Sequence, residues 1–126
     1  MTDIIEEFHD TLTALLGPSV NNNIHFGIVP ANAVFPLVVY GLIWGGTGRR
    51  ASGDRGTYRS RFQVDLYAKT VDELLALRHT AIVGLRGLSS GIMIDSRLDM
   101  DVHYFVDALD AWRHIIDVSI DSELES

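Results

Sequence analysis

From Tyr58 to Ala68 the chain alternates between two kinds of side chain. Tyr58, Phe62, Val64, Leu66 and Ala68 fall on one side of an extended backbone, and Arg59, Arg61, Gln63, Asp65 and Tyr67 fall on the other. A period of two separates these sets on a strand. One face therefore needs a core, and the other is polar enough to meet water or a partner. The segment just before has the opposite character. Gly45 to Thr57 holds five glycines and three arginines and no large apolar residue. Such a stretch buries too little surface to offset the entropy of ordering its backbone. The expectation is a long mobile loop over 45–57 between two central strands. Loops of that length in a small domain are uncommon and often functional.

The rest of the chain supplies the partners of that strand. Ile4, Ile5, Phe8, Leu12, Leu15 and Leu16 recur at the helical period, predicting a helix over Asp3 to Leu16 that Gly17-Pro18 ends. Asn21-Asn22-Asn23 reads as a turn, Ile24 to Val29 as a short strand, and Leu37 to Trp44 as a buried strand. Thr70 and Glu73 form a capping-box pair opening a second helix, with Val71, Leu74, Leu75, Ala81, Ile82 and Leu85 as its apolar stripe and Gly87 as its stop. Alternation returns after Leu98. Leu98, Met100, Val102, Tyr104 and Val106 take one face; Asp99, Asp101, His103 and Phe105 take the other. A turn over Ala108 to Ala111 leads to a last strand with Trp112, His114, Ile116, Val118 and Ile120 inward. Helix, strands, helix, strands is the order of an α+β fold, here a mainly antiparallel sheet flanked by two helices. All of 1–126 reads as one domain, with 121–126 as an acidic tail.

Composition narrows the function classes. Hydrophobic residues make up 47% of the 126, enough for one core, and there is no cysteine. Disulfides, iron–sulfur clusters and thiolate zinc sites are thereby excluded. No apolar run reaches membrane-spanning length, and Met1 to Glu7 has neither signal- nor transit-peptide character, so a soluble cytosolic protein is expected. The formal net charge of −7 disfavours general nucleic-acid binding. The charge is uneven, however. Arg49, Arg50, Arg55, Arg59 and Arg61 cluster within 49–61, while Asp117 to Ser126 is acidic. Basic loop and acidic tail could pair between neighbouring subunits, or both could simply be solvated.

No catalytic constellation emerges. Gly45-Gly46-Thr47-Gly48 lacks the Lys-Ser/Thr ending of a P-loop and precedes a strand instead of a helix. Asp99, Asp101 and His103 make a cation conceivable, but they also read as the wet face of an amphipathic strand, and the EF-hand pattern is absent. His9, His25, His79, His103 and His114 show no ligand spacing, and no serine has a nucleophile-elbow context. Most aromatics on the strand patterns, Trp44 among them, are expected in the core.

The ordered string Phe35-Pro36-Leu37-Val38-Val39-Tyr40, the Gly/Arg segment, Arg61-Phe62-Gln63-Val64-Asp65-Leu66-Tyr67-Ala68 and Thr70-Val71-Asp72-Glu73-Leu74 resembles the tail-terminator (tail-completion) family of long-tailed phages and gene transfer agents. The resemblance runs from Asp3 to Ile120, with Gln63 to Ala68 its strongest piece. Phe35 stands where the family usually has Leu, and Asp95 to Asp110 has no match. The resemblance implies an α+β virion subunit without reaction or cofactor. It implies a homo-oligomeric ring, commonly a hexamer, that caps the head-proximal end of the tail tube and stops polymerisation. Its partners would be the tail-tube protein and a head-side connector protein, with DNA passing through the lumen without specific binding. It would be made in the host cytoplasm and end in the phage tail. Arg49, Arg50, Arg55, Arg59, Arg61, Gln63, Asp65 and Tyr67 are the expected interface residues. Alternatives are a head-completion or tail-tube subunit of the same apparatus, a small ligand-binding α+β domain, and a nucleic-acid binder using the arginine segment.

Overall fold

In a computed structural model, which describes residues 4–49, 56–87 and 93–123, two helices lie on one face of a five-stranded sheet. The elements are α1 (Ile4–Val20), β1 (Ile24–Phe26), β2 (Leu37–Arg49), β3 (Gly56–Ala68), α2 (Val71–Leu85), β4 (Met93–Val106) and β5 (Ala111–Glu123), with a 3-10 turn over Asp107–Leu109. The strand order is β1-β2-β3-β5-β4. Every pairing is antiparallel except β1 with β2, so the α+β, mainly antiparallel expectation holds.

The alternation in β3 decides which face is inner. Phe62, Val64, Leu66 and Ala68 are fully buried and sit opposite Leu42, Tyr40 and Val38 of β2 and Val118, Ile116, His114 and Trp112 of β5. Phe8, Leu12, Leu16 and Val20 of α1 and Leu74, Leu77, Ala81 and Leu85 of α2 close over that face. Phe8 stacks on Phe62 with ring centroids 4.1 Å apart. Each buried Phe, Leu or Val side chain contributes about 1.5–3 kcal/mol. The helices approach closely where Gly84 faces Leu15, since a Cβ at Gly84 would overlap the Leu15 methyls.

Several boundaries and one core assignment differ from the sequence expectation; β1, for one, stops at Phe26 short of the expected Val29. Gly17-Pro18 does not end α1, which continues to Val20. Pro18 is on the exposed side, Val20 is fully buried, and Asn21 and Asn22 (φ 51° and 59°) make the stop. Packing of Val20 outweighs the missing N–H of Pro18. The expected loop 45–57 is strand at both ends: Gly45 to Arg49 pairs rung by rung with Ser60 to Gly56. A ladder needs backbone groups, not apolar side chains, and glycine at position 45 leaves room for the Tyr58 ring. Residues 50–55 lie outside the described residues. Of the expected acidic tail, 121–123 belong to β5 and 124–126 lie outside the described residues. Finally, Val71 and Leu75 are not in the core stripe of α2; they are 37% and 45% exposed, and Leu77 takes their place. Thr70 does cap the helix, its Oγ1 accepting from the Glu73 N–H at 3.2 Å, and Gly87 takes a positive φ of 67° beyond its end.

The face of the sheet away from the helices is half covered. Leu37, Val39 and Tyr67 form a second apolar cluster there, packed by Val29, Ala33 and Phe35 of the β1–β2 connection and by Leu109. The other half carries the polar side chains of β3 and β5.

Candidate assembly surface

The open half of the outer face is a ladder of opposite charges between β3 and β5. Arg59 faces Asp121 directly, and its guanidinium donates to both carboxylate oxygens, Nε to Oδ1 at 2.8 Å and Nη2 to Oδ2 at 3.3 Å. Arg61 reaches diagonally to Asp117, with Nη2 2.7 Å from Oδ2. The polarity reverses at the next pair, where Arg113 of β5 donates to Asp65 of β3. Gln63 Nε2 donates to the other oxygen of Asp65 at 2.9 Å. Cross-strand neighbours of opposite sign stabilise a sheet modestly, roughly 0.2–1 kcal/mol each.

The sheet thus brings together five of the eight residues singled out as interface candidates. Arg59, Arg61 and Gln63 line the open face. Asp65 is on the same face but buried beneath Arg113, and Tyr67 is buried in the second apolar cluster, 5.7 Å from the Arg113 guanidinium. Arg49 ends β2, its backbone opposite Gly56. Arg50 and Arg55 lie outside the described residues. The idea that basic segment and acidic C-terminus attract one another is met within one chain, through Arg59–Asp121 and Arg61–Asp117.

These pairs are not electrically neutral as seen from solvent. The Asp117 side chain is 6% exposed and that of Arg61 45%. The guanidinium is therefore the outward end, and the same holds for Arg59 over Asp121 at 44% against 28%.

Beside the ladder runs an apolar edge that the sequence reading assigned to the core. The β2–β3 register shifts between Leu42 and Trp44, so that Ile43 is an extra residue. A bulge of this kind twists and re-aims the strand. Trp44 then pairs with Arg61 on the outer face, and Ile43 and Trp44 are half exposed. Phe26, at the end of β1, is equally exposed and lies edge-on to Tyr40, centroids 5.2 Å apart. The only signal in the sequence was the glycine-rich stretch after Trp44, which hints at irregular pairing. A shallow depression of about 200 Å³ lies along β2 here, bordered by Gly27, Gly41, Ile43 and Gln63. It has no converging catalytic groups.

Two further candidates take a definite place. Asp99 falls at a register shift in β4, between the Leu98–Val118 and Met100–Asp117 rungs, so the alternation read through Asp99, Asp101 and His103 is interrupted. No cluster of metal-ligating side chains occurs among the described residues. On the inner side, His9 Nδ1 is 2.8 Å from the Tyr40 hydroxyl. Burial raises the Tyr40 phenol above its ordinary pKa, and the charge of Asp10 adds to the shift.

The fold resembles a virion chain. A chain in the solved structure "Virion of native gene transfer agent (GTA) particle" superposes with a TM-score of 0.68 at 14% identity, covering 92% of this chain and 91% of that one. No protein-family model matches the sequence. No curated protein matches it either. At this identity the likeness establishes a shared fold along nearly the whole of both chains. No helix among the described residues is long and apolar enough to cross a membrane.

Proposed function

We propose that this chain is a structural virion subunit that closes into a ring on the head-proximal end of a phage-type tail tube, ending tube growth and joining the tail to the head connector. The observation that carries the reading is the near end-to-end likeness to a chain of a gene transfer agent virion. The stretch Gln63 to Ala68, with its tail-terminator resemblance, narrows it from virion subunit to tail terminator. Surface chemistry supports an assembly role over catalysis. The described surface offers a charged ladder and an exposed tryptophan edge, and its depression on β2 is shallow. Ring subunits need two different patches that meet under rotation, and such features suit them.

In this reading the ring is homo-oligomeric, commonly six-fold. The tube protein lies on one side, the connector on the other, and DNA runs through the lumen without specific contacts. Arg49, Arg50 and Arg55 contact the adjoining ring. No chemical step is assigned to the subunit.

The test is assembly. Purified chain added to polymerising tail-tube protein is expected to shorten and cap the tubes, with rings visible at one end by electron microscopy. Tubes of unchanged length with no added end density would overturn the proposal. Deleting residues 46–56 is expected to abolish joining while leaving the folded core intact.

A further inference from the structure

We draw no further inference here: the strongest candidate, the outer backbone edge of β2 past the Gly27–Tyr40 rung with the half-exposed Ile43 and Trp44 beside it, is a strand edge unpartnered among the described residues, and nothing in the structure shows what covers it.

Discussion

Arg61 and Asp117 form an ion pair whose two ends live in different solvents: the guanidinium nitrogen lies 2.7 Å from a carboxylate that is almost fully buried while the arginine is nearly half exposed. The second oxygen of Asp117 is buried without a hydrogen-bond partner among the described residues. The pair is therefore asymmetric. Losing Arg61 strands a buried negative charge, whereas losing the charge of Asp117 releases an arginine that can return to water.

Arg61→Met should cost about 1–2 kcal/mol, reduced from the fully buried case because Arg61 is well solvated. Asp117→Asn should cost less. Urea unfolding of the two variants measures both, and the reverse order would contradict the asymmetry.

Tyr40 predicts an alkaline dependence. Its folded-state pKa is raised, chiefly by burial, above the ordinary 10.0. The native state therefore holds the phenol proton more tightly than the unfolded chain. This contribution is fully present below about pH 10 and is lost as pH rises through the folded value. Tyr40→Phe should flatten that decline. It should also cost about 1 kcal/mol at neutral pH through the lost hydrogen bond to His9. Thermal melts from neutral to alkaline pH on both proteins check the slope.

The Phe8–Phe62 stack joins α1 to the centre of the sheet. Both rings are fully buried. Either substitution to Ala should cost about 3–5 kcal/mol. The double variant should cost less than the sum by about 1 kcal/mol, the direct ring–ring term. A double-mutant cycle by denaturant unfolding decides it, and strict additivity would mean the rings do not interact.

Gly84 sets how closely the helices approach. Gly84→Val places branched carbons where the Leu15 methyls now lie, and should destabilise by about 2 kcal/mol despite removing a helix glycine. Adding Leu15→Ala should recover part of that loss, because it vacates the same space. Melting temperatures of the single and double variants test this.

The core of the fold was readable wherever one short-range pattern had a single physical solution. The period-two run of β3 could only be a half-buried strand, and its inner residues are the centre of the core. The Thr70 cap and the Gly87 stop were local chemistry and kept their places. Boundaries that depended on distant partners were not readable. α1 passes Pro18 because Val20 finds a buried site, and the glycine-rich segment becomes ribbon because the two strands extend each other's ladder.

The candidate surface divides the same way. The sequence by itself settled that Arg59, Arg61, Gln63, Asp65 and Tyr67 share one strand face, since alternation is a property of the extended backbone. Only the tertiary structure decided which of them meet water. The β1–β2 connection folds over Tyr67, Arg113 covers Asp65, and β5 brings acids to Arg59 and Arg61 from more than fifty residues away. It also moved Trp44 out of the core, through one extra residue in one strand. Local patterns specify which side chains travel together; exposure depends on what the rest of the chain lays on top of them, and a single rung of register is enough to reverse it.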